Sequence, residues 1–257
     1  MITVRRATER QQGGSRKQEN WHTFDAEDAA DPLTHGFGTL ETLNEIRLAP
    51  GAGAQGNSRH DAEVVTYVHE GVLAYEDSVG HAGVVQTGEF QRVTSGRDFR
   101  HGRINASRSE WAHFFQLWLR PSEAEPEPGH EQKRFSAGER HDRLCVVASL
   151  DARRGSLRVH GDVLLYSSLL DPGHHVVHEL APGRSAWLHL VRGEVTLSGI
   201  VLTTGDGAGL TAELAVSLTA LEASEILLID LGEPSLGPPP NGKVESEVAL
   251  RQPGAET

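Results

Sequence analysis

The sequence predicts an all-β protein built as two barrels in tandem, and three observations carry that prediction. Short runs of aliphatic, β-branched and aromatic residues recur along the chain, several alternating apolar with polar residues at period two. Turn signals rich in glycine separate them, and long amphipathic helical patterns, which a βαβ fold requires after each strand, are hard to find. A faint internal repeat divides the pattern into halves.

In chain order the first half offers EVVTYV (63–68), VLAYEDS (72–78), GVVQ (83–86), FQRVTS (90–95) and WAHFFQLWLR (111–120). PSEAEPEPG (121–129), rich in Pro and Glu, reads as an extended, exposed connector. The second half offers LCVVASL, DVLLYSSLL, HHVVHEL, AWLHLV, EVTLSG, VSLTA and EILLIDL, the last ending at Leu231. The repeat pairs YVHEGVLAYEDS followed by TGEF with LVRGEVTLSG followed by TGDG: strand, glycine turn, strand, then a Thr-Gly-acidic turn. One barrel is therefore expected over 1–125 and a second over 126–231. The segment 232–257 mixes Pro, Gly and charge without periodicity and is expected to be a flexible tail.

A chain of 257 residues can bury a real core without disulfides. The formal charge of −12 disfavours phosphate backbones and anionic membranes, so neither nucleic acid nor membrane is expected as a partner. The single cysteine, Cys145, lies in an apolar run and reads as a buried free thiol. The charged opening MITVRRATER is not a secretory leader, and no apolar run approaches the ~20 residues that span a bilayer, so the cytoplasm is the expected location. Phosphate-cradling loops, Ser or Cys nucleophile motifs and DNA-binding motifs are not recognisable.

NWHTF (20–24), DP…GFG (31–38), TYVHEG (66–71), DSVG (77–80), TSGRDFRH (94–101) and QLWLRP (116–121) together resemble the pirin family. EQKRF and LDARRGSLRVHGDVLLY resemble its quercetinase-type bacterial members. The resemblance implies a bicupin: two jelly-roll-like cupin barrels facing each other, with one mononuclear metal site, usually iron, in the first. It also implies either quercetin 2,3-dioxygenase activity or regulation of partner proteins. Laid on the family motif HPHRGxETVTYVLEG, the chain has Asn57 and Arg59 where two histidines stand. Where the second motif ends HSE, it has His101, Gly102 and Arg103, so one of four implied ligands is kept.

A guanidinium is charged at any working pH and has no lone pair for a metal. Period two puts Arg59 and Glu63 on one face, expected to point into the barrel, and Arg103 on the face of His101. The expected site is thus a ligand-binding ion-pair cluster of Asn57, Arg59, Glu63, His101 and Arg103, with no metal. If a metal does bind, a one-residue slip brings His101 together with His60 and Glu63. His69 and His81 are expected at the surface and His113 in a hydrogen-bonded cavity. His174 and His178 share a strand face and are expected to be solvated; the second barrel, with GDGAGLTAELA at the second-motif position, is expected to lack metal. The function expected first is binding of a small anion or a protein partner, with little or no oxygenase activity. The alternatives are a quercetin 2,3-dioxygenase using iron or another divalent metal, and a structural or regulatory protein whose ion pairs only fill the cavity.

Overall fold

The strands Glu63–Glu70 and Ser224–Leu231 are buried at nearly every position, which a β-strand achieves only when both faces of its sheet are covered. The computed structural model, which describes residues 1–24, 30–56, 63–77, 80–94, 101–122 and 129–233, shows what covers them. Each strand lies inside a seven-stranded sheet, and each large sheet faces a four-stranded sheet of its own barrel on one side and the other large sheet on the other. The predicted all-β fold of two tandem barrels is present.

The first large sheet runs in the order Gly129–Arg134, Glu89–Thr94, Glu63–Glu70, Ala112–Leu119, Leu40–Leu48, Gln18–His22, Gln11–Ser15. Its small partner is Gly53–Gly56, His101–Asn105, Val72–Asp77, Ala82–Gln86. The second large sheet begins with Ile2–Arg5 and continues through Gly207–Leu210, Ser185–Arg192, Ser224–Leu231, Val163–Leu170, Cys145–Ser149 and Leu157–Arg158. Its partner is His175–Glu179, Ala215–Ala220, Glu194–Leu197, Ile200–Thr203.

The described residues form three apolar cores. Ile46, Val68, Leu73 and Phe114 fill the first barrel, while Leu188, Leu197, Leu218 and Leu228 fill the second. The third core is the seam between the large sheets, where Val65, Tyr67, Phe115 and Leu117 meet Val147, Leu165, Trp187 and Ile229. Phe24 packs edge-on against Trp187 at 4.9 Å between ring centroids. Burying aromatic area from both halves at one seam gives each barrel a strong reason to hold the other.

The chain crosses the expected division between residues 125 and 126 twice. Ile2–Arg5 pairs with Gly207–Leu210 in the second barrel, and Gly129–Arg134 pairs with Glu89–Thr94 in the first. The repeated Thr-Gly-acidic turns hold these exchanged segments. Asp206 accepts hydrogen bonds from the Ala7 amide at 2.7 Å and Arg6 Nη1 at 2.8 Å, and Glu89 accepts from Gln132 Nε2 at 2.8 Å. The glycine turns of the repeat also correspond: Gly71 and Gly193 have φ of +83° and +97° and pass the chain from the large sheet to the small one. Among the described residues no helix is long and apolar enough to cross a membrane. The expected tail falls, beyond Glu233, outside the described residues.

Candidate functional site

Along His101–Asn105 the alternation buries Arg103 and Asn105 and leaves Ile104 exposed. Arg103 donates from Nη2 to Thr66 Oγ1 at 2.7 Å, and in the amide orientation that satisfies both groups the Gln116 oxygen accepts from both its terminal nitrogens. Among the described residues no carboxylate pairs with it, and burial pushes its pKa down to about 9. Thr66, Arg103 and Gln116 thus make a cationic patch inside the first barrel. His101 opens the strand opposite Gly56 and Asp77. Asn57, Arg59 and His60 lie outside the described residues.

Glu63 does not join Arg103, contrary to the expected cluster. It shares its face with Val65 and Tyr67, which point into the seam, because the even-numbered residues Thr66 and Val68 are those that face the small sheet. There it is fully buried and accepts from Thr94 Oγ1 at 2.8 Å and from the His160 amide at 2.9 Å. His160 Nδ1 lies 2.9 Å away and Arg92 Nε 3.8 Å away. Glu63 therefore joins the two barrels rather than lining the interior of the first.

The seam carries a second polar chain that the sequence reading missed. Tyr67 donates to Glu225 Oε1, Arg140 Nη1 reaches Tyr67 at 3.0 Å and Glu225 at 3.1 Å, and His69 Nδ1 lies 3.0 Å from Glu225 Oε2. Burial and the adjacent Glu225 charge raise the Tyr67 pKa, so its phenol keeps its proton. Burial alone would raise Glu225, but the hydrogen bonds and charges of His69, Tyr67 and Arg140 hold it below the usual carboxylate range. His69 is thus a seam residue and not the surface histidine expected. His113, as expected, is hydrogen-bonded: Nε2 lies 2.8 Å from Glu45 Oε1, and Arg10 Nη1 lies 2.6 Å from Glu45 Oε2. Burial would raise Glu45, yet His113 and Arg10 together hold its pKa at about 2.

Outside the seam, His141, Asp142 and Asp171 bring three metal-ligating atoms within 4.8 Å of one another. His174 Nδ1 stands 3.2 Å from Asp142 Oδ2. The histidine cluster HHVVH was expected to put His174 and His178 on one strand face, both solvated. Instead the strand starts at His175, His174 belongs to the turn beside Asp142, and His178 is bonded to Asp230 at 2.7 Å. Separation in sequence hid this cluster, since its four residues come from two segments joined only by the fold.

Two facing barrels, each a large and a small sheet of almost wholly antiparallel strands, with a polar cluster inside the first, define a bicupin. The chain belongs to the pirin family: residues 3–119 match the model for Pirin and residues 146–231 that for the quercetinase C-terminal cupin domain. It is 38% identical over 231 residues to quercetin 2,3-dioxygenase of Escherichia coli K12, covering 90% of this chain and 99% of that one. Among solved structures it is similar to YhhW from Escherichia coli, with a TM-score of 0.83 and 36% identity, covering 91% of this chain and 98% of that one. The complex of YhhW with nickel(II) superimposes with a TM-score of 0.82 at 36% identity, covering 91% of this chain and 100% of that one.

These findings overturn two expectations. A protein with little or no oxygenase activity is not what a relative named quercetin 2,3-dioxygenase, matched over nearly its whole length, supports. Nor does the expected absence of a metal stand beside a nickel-bound relative and a His/Asp donor set in this chain. At position 103, however, a metal does not fit, because the guanidinium offers only donors. At the His141 cluster the donor types do fit.

Proposed function

We propose that this chain is a metal-dependent oxidoreductase of the quercetin 2,3-dioxygenase type, acting on a small, ionisable aromatic substrate. The observation that carries the reading is the 38% identity spread over 90% of the chain and 99% of the dioxygenase it matches. Arg103 contributes no bond to a metal, so its part is played on the substrate. A flavonol oxygen that ionises on binding, or the carboxylate released by ring opening, is met by a guanidinium that Thr66 and Gln116 already orient. Because that cation sits in a largely dry barrel without a protein carboxylate among the described residues, a bound anion would interact with it more strongly than in water. Of the ligand-binding set read from the sequence, Arg103 and His101 keep this role in the proposal and Glu63 leaves it. A cytoplasmic location belongs to the same proposal, and an unpaired, half-buried Cys145 suits a reducing compartment.

The test is dioxygen uptake with loss of quercetin absorbance, by untagged protein supplied in turn with Ni(II), Fe(II), Co(II) and Mn(II). Turnover is expected with at least one ion and none after chelation. Arg103→Gln is expected to raise KM by about 10- to 100-fold, the loss of one charge-assisted contact of about 1.5–3 kcal/mol. Absence of turnover with every ion would overturn the reading.

A further inference from the structure

We propose that His141, Asp142, Asp171 and His174 form a divalent-cation site on the flank of the second barrel, separate from the Arg103 cluster inside the first. The proposal rests on no part of the oxygenase reading and assigns the ion no role in dioxygen chemistry.

The backbone positions the donors and engages only one carboxylate oxygen among them, Asp142 Oδ1. His141 ends the short helix Ala137–Arg140 and bridges to Leu169, and the Asp142 amide donates to the Leu169 carbonyl at 2.7 Å. Asp142 has φ of +53°, in the left-handed region that Asp tolerates better than most residues, and its carboxylate meets the turn that holds Asp171 and His174. The Asp171 amide then donates to Asp142 Oδ1 at 2.9 Å, and the His174 amide to the Asp171 carbonyl at 3.0 Å. Two chain segments are locked together before any ion arrives.

The donor atoms gather closely enough for one ion after small side-chain rotations, since His141 can give an ion only one of the two nitrogens that face the two carboxylates. His141 Nδ1 lies 3.0 Å from Asp142 Oδ2, His141 Nε2 lies 3.3 Å from Asp171 Oδ2, and His174 Nδ1 lies 3.2 Å from Asp142 Oδ2. Ligands bound at about 2.1 Å with angles of about 90–109° stand roughly 3.0–3.4 Å apart. His141 supplies either of its nitrogens, and with one donor atom chosen per residue the three atoms of His141, Asp142 and Asp171 close to within 4.8 Å. Two imidazoles with two carboxylates select Zn(II), Ni(II) or Co(II) over Ca(II) and Mg(II), which prefer all-oxygen shells. The carboxylates also balance the ion's charge. His141 and His174 are about half exposed, at 51% and 47%, so an ion has an open path and water can complete its shell.

Position gives the ion a consequence. Arg140, the residue before His141, reaches across the seam to Tyr67 and Glu225. An ion joining His141 to Asp171 therefore braces the end of the helix that carries a cross-barrel contact.

The experiment is titration calorimetry of the untagged full-length chain with Zn(II) and Ni(II), alongside thermal melts with and without chelator. The parent is expected to bind an ion at this site and to melt higher with it, by linkage of binding to folding. His141→Ala with His174→Ala is expected to weaken that site by about 10- to 100-fold and remove the metal-dependent rise in Tm. Its melt in chelator should match the parent's, which separates ligand loss from misfolding. A Co(II) visible absorption band present in the parent and lost in the double variant supports the same assignment. If the double variant binds ions with the parent's stoichiometry, affinity and Tm rise, the proposal fails. An ion that survives there but disappears with His101→Ala belongs to the first barrel, and flavonol turnover measured in parallel then bears on the oxygenase reading alone.

Discussion

His189 is fully buried in the seam against Phe115, and neither ring nitrogen has a hydrogen-bond partner among the described residues. Burial, followed by the nearby Arg10 charge, drives its pKa from 6.5 down to about 3, so the ring stays neutral in the folded protein. The unfolded chain takes up a proton near pH 6.5 that the folded chain refuses until about pH 3, so stability falls with acid across that window, by roughly 1.4 kcal/mol per pH unit at most. Glu45 adds a lower window: its depressed pKa of about 2 contributes stability above 4.5 that is lost as the pH falls toward 2. Urea unfolding of His189→Leu at pH 7, 5 and 4 should show a stability equal to or above the parent's at pH 7 and a shallower decline below 6.5. An unchanged decline would show that other groups govern the acid limb. The sequence marked His113 as a bonded cavity residue, yet it could not mark His189, since AWLHLV reads as an ordinary buried strand whichever way its histidine points.

Among elements, the paired glycine turns are where the internal repeat becomes mechanical. A Cβ on Gly193 would meet Ser224 Oγ at 2.4 Å and the Ala223 carbonyl at 2.7 Å, and on Gly71 it would meet Ala112 Cα at 2.9 Å, both at positive φ. Gly193→Ala is expected to lower stability by about 2–4 kcal/mol in denaturant melts, through backbone strain together with overlap. A loss below about 1 kcal/mol would mean that the turn relaxes freely. The repeat was legible because its signals are local, while Leu40–Leu48 was not. That strand buries Leu40, Leu43, Ile46 and Leu48, with Leu43 in the seam and Ile46 and Leu48 in the first barrel, and a bulge opposite Trp118 and Leu119 breaks its alternation. Its apolar spacing therefore imitates a helix. Gln11–Ser15 was hidden for the opposite reason, being exposed along its whole length. The face of Glu63 is not legible from sequence, because both faces of its strand are buried and hydrophobicity cannot choose between them.

For the whole molecule, the seam and the exchanged strands make the barrels mutually dependent. Chains ending near residue 134 should aggregate, because Val65, Tyr67, Phe115 and Leu117 would face water without Trp187, Leu227 and Ile229. A chain beginning at residue 136 loses the strand Ile2–Arg5 as well as its half of the seam, and should fare no better. Light scattering and thermal melts of the two halves, separate and mixed, are the measurement. A soluble first half that melts cooperatively would show that the seam is dispensable. One transition is expected for the full chain.

The exchange of Ile2–Arg5 also sets a schedule for biosynthesis. Arg6 leaves the ribosome 200 residues ahead of Asp206, the carboxylate that anchors it, so its segment waits without that partner while those residues are made. At about 5–20 residues per second that wait lasts roughly 10–40 s. Throughout it the edge presented by Ile2–Arg5 is open to a neighbouring nascent chain on the same message. Slowing translation should therefore raise the yield of strand-swapped dimers, and replacing Asp206 with Asn should raise it further by loosening the correct closure.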